Sequence, residues 1–213
     1  MSGLLLLYTN PKQFFSDQVA VQKTLSLFIV SWAYGIFHTL DRLDRHLLKE
    51  SLNRPWPGWE LVSPLVDGSW LNFWAFLIIV GLMAGGVAYY LGGWWYKIRL
   101  GWAGAKNIDK HQARHIHIYV QFVMSFPSLI FLVAQTFIYP DYRTAWQADI
   151  IWLMLLTVFP FWSCATSYYA ATHIMHLKPK LAFYWFVLLP ACIYIMSYYS
   201  YWYVIEAIIA KSG

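Results

Sequence analysis

Charge is what this chain has least of. Asp, Glu, Lys and Arg make up 12% of its 213 residues, against 60% hydrophobic. Soluble domains carry about a quarter charged residues, so a water-facing surface of the usual kind is excluded. Only two cysteines occur, Cys164 and Cys192, each inside an apolar run. Thiols in such runs are small packing residues and say nothing about redox compartment. No block of consecutive basic residues appears, which sets nucleic acid aside as a partner. A His-Glu-x-x-His zinc-protease motif is absent, as are the repeated His boxes of membrane di-iron oxygenases. The apolar run Leu4 to Tyr8 is too short for a cleavable signal peptide and has no basic flank before it, so the first span is expected to act as an uncleaved signal anchor.

Apolar length takes the place of charge. A bilayer core of about 30 Å needs about 20 apolar residues in a helix. Stretches free of Asp, Glu, Lys and Arg place helices at about 24–40, 70–96, 116–139, 150–173 and 181–205. The expectation is an all-α, polytopic transmembrane bundle of about five spans, forming a single membrane domain over 1–213. Aromatic residues reach 20%, with 13 Trp and 16 Tyr, and Trp and Tyr favour the headgroup level. After the first span, Leu43, Leu47 and Leu48 form one stripe among Arg42, Asp44, Arg45, Lys49 and Glu50. That spacing predicts an amphipathic helix lying on the membrane, with a water-exposed extension of span one as the alternative.

Orientation follows from the fifteen Lys and Arg residues. With the N-terminus inside, Lys12, Lys23, Lys97, Arg99, Lys106, Lys110, Arg114, Lys178 and Lys180 face the cytoplasm. Arg42, Arg45, Lys49, Arg54, Arg143 and Lys211 face out. Basic residues accumulate on the cytoplasmic side of short loops, so this arrangement is preferred, with the C-terminus on the opposite side. The net charge of +5 points to anionic lipid headgroups as partners, met by Lys12, Lys97, Arg99, Lys110 and Arg114. Pro11 suits the start of a short interfacial helix. There Phe14 and Phe15 are expected to dip into the interface beside Lys12, as an anchor before the first span.

Span two contains Gly81, Gly85 and Gly86. The first two have small-xxx-small spacing, which lets another helix approach closely. The partner is either another helix of this chain or, in a homo-oligomer, a second copy. Pro127, Pro160 and Pro190 fall near the middle of the last three spans, where each predicts a kink. The carbonyls they free need new partners in hydrocarbon, and Ser125, Ser128 and Ser163 lie close enough in sequence to supply them.

Two short motifs carry a family resemblance. The chain opens with Asn10-Pro11-Lys12-Gln13-Phe14-Phe15 ahead of a polar stretch, and span two ends in Gly92-Gly93-Trp94-Trp95-Tyr96-Lys97-Ile98-Arg99. An Asn-Pro-x-x-Phe-Phe opening before five spans resembles the Yip family of Ypt/Rab-interacting membrane proteins. The Gly-Gly pair followed by aromatic and basic residues is similar as well, and so are the proline-bearing later spans. The similarity extends over roughly residues 8–206. It implies a five-helix bundle with a cytoplasmic N-terminus, in a small bacterial-type member of the inner (plasma) membrane. The GTPase and trafficking roles of eukaryotic relatives go with a long soluble N-terminal region that is lacking here. For bacterial members the resemblance implies no settled activity.

Five of the seven histidines fall in two clusters. His111, His115 and His117 lie at the cytoplasmic end of span three, and His173 and His176 at that of span four. Histidines three or four apart share a helix face, and neutral imidazoles on one face can chelate zinc or another transition metal. His111, His115, His173 and His176 are the candidate ligands, with no carboxylate or thiol evident to complete the set. His38, inside span one, reads as a packed residue. The span interiors lack Asp, Glu, Lys and Arg, and intramembrane charge marks most transport paths. Gln121 and Gln135 are the main polar residues there, Gln135 reading as interhelical glue. The favoured function is a non-enzymatic scaffold, assembly factor or lipid-organising protein. The alternatives are a metal-dependent membrane enzyme and a small transporter or channel.

Overall fold

The computed structural model describes residues 2–16, 24–149, 156 and 158–212. Every regular element among them is helical. Two short helices, α1 (Ser2–Thr9) and α2 (Pro11–Ser16), precede the long α3 (Thr24–Ser51) and the short α4 (Trp59–Val66). Helix α5 (Trp70–Val87) passes through one π-helical turn, Ala88–Gly92, into α6 (Gly93–Trp102). Then come α7 (Lys110–Ile138), α8 (Tyr142–Ala148) and α9 (Val158–His173). The short α10 (Pro179–Phe183) leads through a second π turn, Tyr184–Leu188, into α11 (Leu189–Ser212). Side-chain caps mark several starts. Ser69 accepts from the Asn72 N–H, Asp109 from those of His111 and Gln112, and Asp141 from that of Thr144, each answering an amide with no partner inside its helix.

Three helical rods among the described residues are long and apolar enough to cross a bilayer: Trp70–Trp102, Lys110–Ile138 and Pro179–Ser200. They correspond to the second, third and fifth expected spans. The first expected span is the beginning of α3. The fourth falls partly on 150–155 and 157, outside the described residues, and its described part is α9. Helix α7 is the hub, packing against α3, α6 and α9, and α3 also packs along α5.

The amphipathic helix expected to lie on the membrane is instead the last three turns of α3, continuous with the span. Its stripe does bury: Leu43, Leu47 and Leu48 are 4%, 2% and 8% exposed. Their partners are protein, not lipid, in a cluster with Trp59, Val66, Phe73, Tyr142 and Trp146. The Phe73 and Tyr142 rings stack at 4.5 Å. The Trp70 indole donates to the Tyr139 carbonyl at 2.7 Å, and Trp74 to Thr136 Oγ1 at 3.0 Å. The end of α3, the start of α5, the end of α7 and helices α4 and α8 thus form a cap at one end of the bundle.

The N-terminal helix pair also departs from expectation. Phe14 and Phe15 do not meet lipid. They are 2% and 1% exposed inside the main core, with the Phe14 ring edge-on to Tyr119 at 5.3 Å. Helix α2 packs on α9 and α1 on α7. Pro127 explains the attraction. It sits inside α7, and the carbonyl it deprives of an amide partner is that of Val123. The Tyr8 hydroxyl donates to the carbonyls of Phe122 and Val123 at 3.2 Å each. The nearby serines reach carbonyls of the same turn, Ser125 sharing that of Phe122 and Ser128 taking that of Met124, but leave Val123 to Tyr8. Pro160 is buried within α9, and its carbonyl accepts from Ser163 Oγ at 2.7 Å.

The glycine face is intramolecular. Gly81 and Gly85 are buried against α3. A Cβ at Gly81 would stand 2.8 Å from the Ile36 nitrogen, one at Gly85 2.5 Å from the Ser31 oxygen, and one at Gly35 2.8 Å from the Gly85 Cα. Close backbone approach lets polar groups bridge the helices: Ser31 Oγ donates to the Gly85 carbonyl at 3.0 Å and the Trp32 indole to that of Ile78 at 2.9 Å. Gly86 is a correction, since a Cβ there meets nothing within 4 Å. Gly85→Leu is therefore expected to lower stability in detergent by about 2 kcal/mol or more, through forced separation of two backbones. Gly86→Leu leaves the thermal midpoint within about a degree or two, the scale of a substitution of about 0.5 kcal/mol. Equal midpoints for the two variants contradict this packing.

Candidate functional site

At the end of the bundle opposite the cap, α6 turns into α7 through residues 103–109. Lys106, Lys110, Lys178 and Lys180 are exposed there. Lys97 is half-buried, and Lys12 on α2 is exposed. Among the described residues at this end, these are the cations placed to meet an anionic surface. Two others expected beside them are engaged within the fold. Arg114 packs its stem against Gly93, where a Cβ would come within 2.7 Å of the Arg114 Cα. Its guanidinium lies 4.8 Å from the Tyr90 ring centre and 5.7 Å from that of Tyr89, within cation–π range. The Gly92-Gly93 pair thus has a physical role: Gly92 admits the His117 ring and Gly93 the Arg114 stem, bringing α6 onto α7.

Arg99 is the second. Its guanidinium sits 4.7 Å from the Phe186 ring centre and donates to the Trp185 carbonyl at 2.5 Å. Pro190 accounts for the bond. In the π turn before it, the amide of Leu189 bonds five residues back to Tyr184. The next amide in that register belongs to residue 190 and would answer Trp185, but proline has none. Arg99 supplies the missing donor from α6. Beside it, Tyr96 is buried with its hydroxyl 3.0 Å from Ser167 Oγ on α9. One short stretch of α6 thereby ties α7, α9 and the last helix together.

The four candidate metal ligands do not assemble. No three His, Cys, Asp or Glu among the described residues are grouped so as to hold an ion. His111 is exposed in the first turn of α7. His115 lies half-buried, its ring 6.1 Å from that of Tyr89. His173 Nδ1 faces its own helix, 3.0 Å from Thr172 Oγ1 and 3.1 Å from the Tyr169 carbonyl. His176 stands past the end of α9 with φ 49°. The left-handed turn breaks the three-residue spacing that would have set it on one helix face with His173. Gln135 is glue of a different kind: it donates to Asp149 at 3.0 Å, joining the end of α7 to the chain just past α8.

The cap holds polar groups that the sequence pattern hid. Asp44, mostly buried, accepts from the Tyr142 hydroxyl at 2.5 Å. Arg143 bonds Glu50 at 2.6 Å and also pairs with Asp67, fastening α8 to the ends of α3 and α4. Asp44 follows Leu40 and precedes Leu48 by four residues each, so a carboxylate on the apolar stripe was the available signal. The chain matches no family model, no curated protein and no solved structure.

Two outcomes follow from these contacts. Arg99→Met is expected to cost about 2 kcal/mol, because the Trp185 carbonyl is left unanswered. In a Pro190→Ala background the restored amide can take its place, and the cost of Arg99→Met falls below about 1 kcal/mol. A double-mutant cycle on thermal midpoints measures the difference, and additive effects contradict the pairing. The other concerns pH. Burial pushes the Asp44 carboxyl up to about 7, aided by Asp41 and opposed by the Tyr142 hydrogen bond and Arg45. An unfolded Asp titrates near 3.9. Between those values the folded cap keeps a proton that the unfolded chain has released, so stability declines as pH rises from about 4 through 7. Hydrogen exchange at amides of 41–50 and 142–148, corrected for intrinsic rates, should show weaker protection at about pH 8 than at about pH 5. Asp44→Asn should remove that difference.

Proposed function

We propose that this chain is a non-enzymatic, five-pass membrane protein that organises lipid or a protein assembly at its basic face, with that face and the N-terminus in the cytoplasm. The observation that carries the reading is the uneven balance of charge along the bundle. At the cap Asp41, Asp44, Glu50, Glu60, Asp67, Asp141 and Asp149 outnumber Arg42, Arg45, Lys49, Arg54 and Arg143. Lys97, Lys106, Lys110, Lys178 and Lys180 gather at the other end, where the nearby described carboxylate, Asp109, is spent on capping α7. Five passes fit the path of the chain. Helices α3, α5–α6, α7, α9 and α11 alternate in direction between the two ends, and among the described residues three rods meet the length and apolarity needed to span. The likeness to the Yip family rests on the same path and on the two short motifs, both of which have packing roles here.

Two measurements test this. Single cysteines placed at Lys106 and at Asn53 should label from opposite sides of the membrane, with residue 106 protected in intact cells. Outside labelling at 106 overturns the orientation. Protein purified in mild detergent should retain anionic phospholipid, detected by native mass spectrometry. Replacing Lys110 and Lys180 together with Ala should reduce that retention several-fold, since each basic residue near an anionic surface is worth about 1 kcal/mol. Unchanged retention removes the lipid reading of this face.

A further inference from the structure

The cap contains a second feature that neither its packing nor the charge balance accounts for. Between α3 and α4 the chain turns through Asn53, at φ 57°, and Gly58, at φ 93°. The segment carries Trp56, half exposed, over the His46 ring at 5.3 Å between centres. Trp59, 4% exposed, lies against the same imidazole at 5.6 Å. An open cleft of about 470 Å³ runs past them, lined by both tryptophans with Glu50, Asn53, Glu60 and Ser63. Among the described residues, two buried side-chain polar atoms have no hydrogen-bond partner, and both are here: His46 Nδ1 and Trp59 Nε1.

Unanswered buried polar atoms are rare in folded proteins, because each forfeits the bond it made to water. Two in contacting side chains beside a cleft point to a ligand that completes them. Their chemistry restricts what it can be. An indole N–H only donates. Burial and the cations Lys49 and Arg42 hold the His46 imidazole toward its neutral form, in which one ring nitrogen accepts. Glu50 and Glu60 accept, and Asn53 and Ser63 do both. The ligand must therefore donate and accept at several points and offer an apolar face to Trp56. A phosphate brings mainly acceptors into a site with two carboxylates. A quaternary ammonium suits the indoles but answers neither orphaned nitrogen. A pyranose meets every requirement: its hydroxyls both donate and accept, and its C–H face lies flat on an aromatic ring.

We infer that the cleft beside His46, Trp56 and Trp59 is a saccharide-binding site, with Trp56 as the side chain that shifts to admit the sugar to the two unpartnered nitrogens. The sugar arrives either free or as the headgroup of a glycolipid, the cleft being at the end of a membrane bundle.

The test uses the full chain in a polyoxyethylene detergent, since alkyl glycoside detergents carry the proposed ligand. Calorimetric titration with glucose, galactose, N-acetylglucosamine and maltose, and with their octyl glycosides below micellar concentration, should give saturable binding for at least one sugar. Trp59→Phe keeps an aromatic, smaller side chain without the N–H donor, and should weaken that binding at least about tenfold, the scale of one lost hydrogen bond to a buried group. Trp56→Ala, at an exposed position, should weaken it at least as much while leaving the thermal midpoint in place. An octyl glycoside binding far more tightly than its free sugar identifies a glycolipid headgroup, and equal affinities identify the free sugar. The inference is overturned by no saturable binding across the panel, by saturation with phosphocholine instead, or by sugar binding that survives both substitutions.

Discussion

A carbonyl that loses its helical partner inside a membrane has no water to turn to, and that constraint arranges much of this bundle. Pro127 and Pro190 each remove an amide from a spanning helix. The answering donors come from distant parts of the chain: the Tyr8 hydroxyl for the turn before Pro127, the Arg99 guanidinium for the π turn before Pro190. Both donors bring their own elements with them. Tyr8 draws the N-terminal helix pair into the core, where Phe14 and Phe15 then pack on α7. Arg99 draws α6 toward α11, and Tyr96, one turn away, adds the link to Ser167 on α9. The prolines act less as kinks than as sockets.

Close backbone contact supplies the second half of the arrangement. Helix association in lipid gains little from hydrophobicity, because the tails are as apolar as the side chains, so it depends on packing and interhelical polar contacts. Gly35, Gly81 and Gly85 bring α3 and α5 near enough for Ser31 and Trp32 to reach main-chain oxygens across the interface. Gly92 and Gly93 do the same for α6 and α7, exchanging small residues for the His117 ring and the Arg114 stem. On the α5–α6 rod Gly85 and Gly92 lie only about two turns apart, with the π turn Ala88–Gly92 following the first group and including the start of the second.

These contacts explain which parts of the molecule were legible in the sequence. Apolar length and the lack of charge were enough to find the spanning rods at 70–96, 116–139 and 181–205, because those properties are local. The Gly81 and Gly85 face was legible for the same reason, though its neighbour Gly86 shares the composition and not the contact. Partners were not legible. Nothing near Pro127 in sequence names Tyr8, over a hundred residues away; the closer serines do bond carbonyls of that turn, those of Phe122 and Met124, but not the one at Val123 that Pro127 frees. Phe14 and Phe15 read as interfacial because an aromatic pair near a lysine suits a membrane surface equally well, and only the docking of α1 on α7 turns them inward. The histidines misled through period. His173 and His176 are three apart, but the helix ends between them, so the shared face never forms. At the cap, Leu43, Leu47 and Leu48 were correctly seen as one stripe, while the identity of what covers it depended on Tyr142 and Trp146 from the far side of α7.

The two ends of the bundle satisfy their charges in different ways, and the difference bears on what each end can do. At the cap one guanidinium, Arg143, engages Glu50 and Asp67, and Asp44 is held by Tyr142. Exposed ion pairs contribute little on their own. Here they bridge separate elements, so their effect is chiefly to fix where α8 sits over the ends of α3 and α4. At the other end no such pairing occurs between Lys97, Lys106, Lys110, Lys178 or Lys180 and a described carboxylate, and the arginines there are turned inward to aromatic rings and a carbonyl. The internal charges are thereby used for structure, and the lysines remain as a surface without described ion-pair partners. Such a surface attracts negative charge within about a Debye length, roughly 8 Å at physiological ionic strength. Under the proposed function, the negative charge within that distance of this face is the lipid headgroup layer.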